Sequence, residues 1–249
     1  MYRILMSMDL FSENPSGVAF FLVGYVLATA FFVLVVCPFH NYIQARVAKL
    51  NGDDWVVDAG YLTMNPSKSF HWIGLLSTFV MFMGFTKRVR YRRRYFDAPV
   101  LGTLWLCLSG VLVYFLCSIL FLVLYTIVSR FNPLGITNPV IIPAQALSFG
   151  GSVVYTLFSM LFFLSRMCIY SAIFNLIPVP PMDMGDMIFT FLGKHWSDVI
   201  KKNDTIFSVG LFLLAFFVLG MPDSFIANTS LDFINLIVNS VNFVINIFT

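Results

Sequence analysis

The sequence alternates long uncharged stretches with short polar breaks, and the stretches are long enough to be read as helices crossing a hydrocarbon core, which takes roughly 20 residues. Gly17 to Cys37 gives 21 uncharged residues, and Val100 to Ser129 gives 30. Phe131 to Ser165 is also uncharged, but Pro133, Gly135, Pro139, Pro143 and Gly150-Gly151 break its first half. A further span is therefore predicted from about Ser148 to Phe174, and another from Thr205 to Met221, ending at Pro222. Trp72 to Thr86 offers only 15 uncharged residues between His71 and Lys87, which fits a short span or a re-entrant segment. The short span is the favoured reading. The last segment differs in kind: Asp232, Asn235, Asn239, Asn242 and Asn246 recur at alternating spacings of three and four and share one helical face. This helix either lies in the interface, crosses with its Asn stripe against a partner, or docks on its own bundle. It carries no Lys or Arg, which favours a protein contact.

Composition agrees with these spans. Of 249 residues, 59% are hydrophobic and 11% charged, against about 25% charged in soluble domains. The fold expected is an all-α polytopic membrane protein of about five to six transmembrane helices, residues 1–249 forming one membrane domain. The N-terminal stretch follows Asp9 and Glu13 and lacks the basic leader of a signal peptide, so it is read as a retained helix. Cys37, Cys107, Cys117 and Cys168 lie in apolar stretches without a C-x-x-C pair and are read as packing residues.

Net charge is only +3, but Lys87, Arg88, Arg90, Arg92, Arg93 and Arg94 place six cations within eight residues. With no nucleic-acid-binding pattern around them, they fit a cytoplasmic flank on anionic lipid. Together with Lys194, Lys201 and Lys202, they assign the loops 87–98 and 175–204 to the cytoplasm. Arg166 is a lone cation inside a predicted span, expected to snorkel to the cytoplasmic end or to pair with Asp183 or Asp186.

Candidate chemistry lies at two places. Asn175-Leu-Ile-Pro178-Val-Pro180-Pro181-Met-Asp183-Met-Gly-Asp186 breaks its helix with three prolines and sets an Asp just beyond the break. The stretch resembles the Asn-x-x-Pro-x-Pro-Pro-x-Asp-Gly motif of the site-2 protease family of intramembrane zinc metalloproteases, with Met184 where the final Gly belongs. Phe39-His40-Asn41-Tyr42-Ile43-Gln44-Ala45 stands where that family carries His-Glu-x-x-His-Ala on a helix. Gly60-Tyr-Leu-Thr-Met-Asn65-Pro66, Ile73-Gly74 and Gly84-Phe-Thr-Lys87-Arg-Val89 are similar to further family segments, so the resemblance covers roughly His40 to Asp186. It implies a three-helix core over about 17–186, with a C-terminal span and amphipathic helix over 205–249 added to it.

Departures cluster where the family does its chemistry. Asn41 replaces the general base, Gln44 the second His ligand, His71 a family Asp, and Tyr114, in Ser109-Gly110-Val-Leu-Val-Tyr114, a family Asn. A zinc hydrolase needs three ligands, an open position for water and a base for its proton. A neutral amide accepts no proton, and the only Glu in the chain is Glu13. The resemblance therefore implies a pseudoprotease: His40, Asn41, Gln44 and Asp183 are degenerate positions, no cofactor is expected, and the groove binds or scaffolds another membrane protein. Asn175, Pro178, Pro180, Asn235, Asn239 and Asn242 are the expected partner contacts. One alternative is a divergent active protease holding zinc through His40, Asp183 and His71, with Asp186 as base. Another is a structural subunit of a larger membrane complex, docked through the Asn stripe.

Overall fold

The computed structural model describes residues 15–84, 86–130, 149–178, 182–191, 202–203, 206, 209–210, 213 and 225–248. The described residues contain helices and loops and no strand. Three helices are long and apolar enough to cross a membrane. They are α1 (Pro15–Leu50), α5 (Pro99–Arg130) and α6 (Phe149–Asn175). The first runs 13 residues past the expected end at Cys37, straight through Pro38. A proline inside a helix lacks an N–H and crowds the preceding turn. Here the turn before it, Phe32–Val36, is a π-helix in which Cys37 N–H donates to Phe32 O. The wider turn accommodates the ring and resets the register, so that His40, Asn41, Gln44 and Ala48 all face inward.

Aromatic contacts fix how the three helices run. Phe31 meets Phe121 and, nine residues on, His40 stacks on Tyr114, at 6.0 and 4.4 Å between centroids, so α1 and α5 are antiparallel. Tyr125 stacks on Phe158 at 4.7 Å and Ser118 Oγ donates to Ser165 O at 3.0 Å, which makes α5 and α6 antiparallel as well. Where α1 crosses α6 there is no room for a side chain: a Cβ on Gly24 would sit 2.8 Å from Ser159 Cβ and 2.9 Å from Thr156 O. Backbone cannot yield as a flexible side chain does, so Gly24→Leu should lower stability by about 3 kcal/mol in thermal unfolding of the detergent-solubilised protein.

Between α1 and α5 come the short helices α2 (Trp55–Asp58) and α3 (Pro66–Ser69), then α4 (Trp72–Met81). The favoured short span over Trp72 to Thr86 is corrected here. Its helix is 10 residues, about 15 Å, and stops at Phe82 in the left-handed conformation, φ 61°. The chain then turns back, and Lys87 N–H donates to Ser69 O at 3.0 Å, so entry and exit are neighbours. Asp97 N–H donates to Asn51 O at 3.2 Å, so the whole connection ends where it began. The segment folds back on itself, covered by Tyr25, whose hydroxyl donates to Phe79 O, and by Phe163 stacked on Phe82. Gly84 N–H, on the returning strand of chain, donates to Ser171 Oγ at 2.9 Å.

Beyond α6 lie α7 (Gly185–Phe191) and α8 (Phe225–Phe248). The expected span Thr205 to Met221 lies almost entirely outside the described residues. Ile234 of α8 is buried against Leu122 and Ile169, with Phe233, Ile237 and Val238 beside it. α8 thus docks on the bundle by its apolar face, one of the arrangements its pattern allowed.

Candidate functional site

The elements that meet near the C-terminal half of α1 are α5, the chain returning from α4 and the loop after α6. From α1 come His40, Asn41 and Gln44, all buried. α5 contributes Gly110 and Tyr114. The broken stretch contributes Asp183, and Asn175 is what sets it in place. Asn175 Nδ2–H donates to Ser171 O at 2.8 Å, its Oδ1 accepts Asp183 N–H at 3.3 Å, and its carbonyl accepts Met184 N–H at 3.1 Å. One residue thus ties the end of α6 to Asp183 and Met184. Met182, buried against Met83 and Phe174, anchors the residue before Asp183.

The centre of the site is a direct contact: His40 Nε2 lies 2.8 Å from Asp183 Oδ2. Its proton arrangement follows from Asn41. Asn41 Nδ2–H donates to Lys87 O at 2.9 Å, which turns Oδ1 toward His40, where it also accepts from Thr86 Oγ1 at 2.7 Å. An amide oxygen cannot donate, so His40 Nδ1, 3.0 Å away, carries a hydrogen. His40 Nε2 and Asp183 then share one proton between a ring nitrogen and a carboxylate. The imidazole is 1% exposed and stacks on Tyr114 at 4.4 Å between centroids and 19° between planes. Tyr114 also stacks on Phe32, and its hydroxyl lies 3.9 Å from Cys37 Sγ. Asp183 Oδ2, Gln44 Nε2 and His40 Nε2 all crowd the point where a Cβ on Gly110 would lie.

The donor set does not fit a catalytic zinc. His40 and Asp183 supply two possible ligands, one fewer than the three a catalytic zinc takes from protein. Gln44 adds only a neutral amide, and Asn41 is spent on Lys87, Thr86 and His40. Among the described residues, no three His, Cys, Asp or Glu side chains converge on one point. His71, expected as a replacement ligand, caps α4 by accepting Gly74 N–H at 3.3 Å and lines a small cavity with Val33, Cys37 and Thr78. Asp186, expected as its base, pairs with Arg88 at 3.1 Å. Arg166 takes up neither Asp183 nor Asp186, which have these other partners: its guanidinium lies over Phe162 at 4.8 Å, with Nε buried and unbonded.

The expected partner residues divide. Asn175 is 2% exposed and used internally, whereas Pro178 is exposed; Pro180 lies outside the described residues. Asn235 and Asn239 are exposed and Asn242 half-buried. Thr86, which orients Asn41, carried no chemical signal in the sequence beyond its place in the Gly84-Phe-Thr-Lys87 segment. The basic loop nearby is built with aromatics: Arg92 lies over Trp55 at 4.7 Å and Arg94 over Tyr95 at 4.9 Å. Hydrogen bonds from Arg94 and Arg92 hold the Tyr95 phenol below its ordinary range, while burial, helped by Asp186, pushes Tyr91 up.

No protein-family model, curated protein or solved structure matches this chain. The site is therefore read from its own geometry and from the order of motifs in the sequence.

Proposed function

We propose that this chain is a non-catalytic membrane protein with a site-2 protease-like core, which binds or scaffolds another membrane protein. The observation that carries the reading is the His40–Asp183 bond, at 2.8 Å. In the resembling family these positions hold a metal between them, and here a shared proton joins them directly. Asn41, at the position of the base, instead fixes the imidazole, so the polar groups left at the site serve to hold α1, the chain returning from α4 and the Asp183 loop together. The partner contacts the exposed edge of that loop, at Leu176 and Pro178. In this reading the loops 87–98 and 175–204 face the cytoplasm, where their cations meet anionic lipid, and the N-terminus of α1 faces the other side.

A photocrosslinking residue at Leu176 or Pro178 tests it in membranes. An intact membrane protein should be captured there. A cleaved transmembrane product that disappears in His40→Ala would instead establish the divergent protease. Restoring the family residues provides a second check: Asn41→Glu combined with Gln44→His should raise zinc affinity by at least about tenfold over the parent chain, measured by equilibrium dialysis, because it supplies a second imidazole ligand and, at the base position, a carboxylate for the zinc-bound water. The remaining reading, a subunit docked through Asn235, Asn239 and Asn242, is favoured by the outward position of that stripe.

A further inference from the structure

α8 lies lengthwise along the bundle. Phe233 packs on Phe115 at 5.0 Å between ring centroids, and Asn246 Oδ1 accepts from Arg130 Nη2 at 3.1 Å. The stretch from Phe233 to Asn246 thus runs beside Phe115 to Arg130, each roughly 20 Å long. Since α5 is one of the helices apolar enough to cross a membrane, this part of α8 shares its depth. Its inner face is the apolar one already docked, through Ile234, Ile237 and Val238. The outer face carries Asp232, Asn235 and Asn239, all exposed, with Asn242 half-buried; Asn246, also exposed, ends the stripe at its bond to Arg130. Measured along the axis from Asn246, which sits at the level of Arg130, Asn239 lies about 10 Å and Asn235 about 16 Å further in. A hydrocarbon core about 30 Å thick gives those amides no hydrogen bonds and no described residue bonds them, so a polar surface from elsewhere must cover them.

We propose that the cover is the same stripe of a second copy of this chain. An amide both donates and accepts, so a row of Asn side chains complements itself without an opposite charge. The stripe offers no cation to an anionic headgroup, and its single charge, Asp232, selects no extended basic partner. Spacings of three, four, three and four repeat every seven residues, the period of two helices wound with a left-handed crossing. Two copies inserted the same way in one bilayer bring identical faces together about an axis along the membrane normal, the isologous contact of a twofold dimer. Leu231, Leu236 and Phe243, exposed on either side of the stripe, supply an apolar rim to the pairing. The parallel arrangement also brings Asp232 toward its counterpart, so that carboxylate opposes the dimer that the amides hold. Self-association through α8 does not depend on what the His40–Asp183 site does.

Energy transfer between two labelled populations of the full-length chain, diluted in phosphatidylcholine vesicles, measures this association. The parent chain should dimerise, the combined Asn235→Leu, Asn239→Leu and Asn242→Leu variant should dissociate at least about tenfold more readily, and Asp232→Asn should bind more tightly. Leucines are compatible with lipid, so the triple variant is expected to keep its fold. Should it misfold, Asn239→Cys gives the answer by disulfide formation between two differently tagged copies, with the exposed Leu116→Cys on α5 as control. A parent chain that stays monomeric at every dilution overturns the proposal. So does a triple variant that associates like the parent, or an Asn239→Cys chain that crosslinks within itself or only to another protein.

Discussion

Replacing Asp183 by alanine should destabilise the folded protein by roughly 3 kcal/mol, the lower end of the cost of breaking a buried charged pair. The lower end applies because the Asp183 side chain is 11% exposed, while His40 is 1% exposed. His40 Nδ1 stays committed to Asn41, which is held in turn by Thr86 and Lys87, so the ring cannot rotate to find another partner for Nε2. The polar nitrogen is left buried beside Gln44 and Gly110. Replacing both partners, with His40→Leu and Asp183→Leu, removes the orphaned group as well as the bond and should recover much of the loss. Thermal unfolding of the three detergent-purified proteins measures both effects. A double variant no more stable than Asp183→Ala would show that the pair contributes more than burial and bonding account for.

Gly110→Ala should cost about as much, roughly 2 to 3 kcal/mol, although it adds a single methyl. Its Cβ would enter the space of His40 Nε2, Asp183 Oδ2 and Gln44 Nε2. Side-chain ends usually swing aside, but two of these are held, His40 by Tyr114 and Asn41, and the Asp183 carboxylate by His40, its backbone set by Asn175. Relief therefore comes only by parting the pair or moving α5 away from α1. Since both substitutions break one contact, Gly110→Ala with Asp183→Ala should lose clearly less than the two single losses together. Additive losses, read from the same unfolding curves, would mean that Gly110 packs independently of the site.

How much of this was legible in the sequence depended on whether the signal was local. Runs of uncharged residues placed α5 and α6 to within a residue or so, at Pro99–Arg130 and Phe149–Asn175, because hydropathy is a property of each segment alone. The uncharged run Gly17 to Cys37 placed the span but not the helix's continuation to Leu50, which passes Pro38 by way of the π turn at Phe32–Val36. Trp72 to Thr86 was misjudged for a different reason. Whether a segment crosses or returns depends on where its ends meet, and the bonds from Lys87 to Ser69 and from Asp97 to Asn51 join residues far apart in sequence. At the site, the facing of His40, Asn41 and Gln44 follows from helical spacing, and the prolines announced the break before Asp183. The contact between Asp183 and His40, across 143 residues, follows from no periodicity, and the stacking of Tyr114 on His40 even less. For the same reason the role of Asn175 could not be read: its place in the motif made it an expected partner contact, and its bonds to Ser171, Asp183 and Met184 come from the folded chain.

The most direct test of the central claim, that a proton shared by His40 and Asp183 stands where the resembling family holds its metal, is the zinc content of the intact protein. Chain expressed in zinc-replete medium and purified without chelator should carry no stoichiometric zinc, and its zinc content should be the same in Asp183→Ala. One tightly held zinc per chain, lost in both His40→Ala and Asp183→Ala, would contradict the claim.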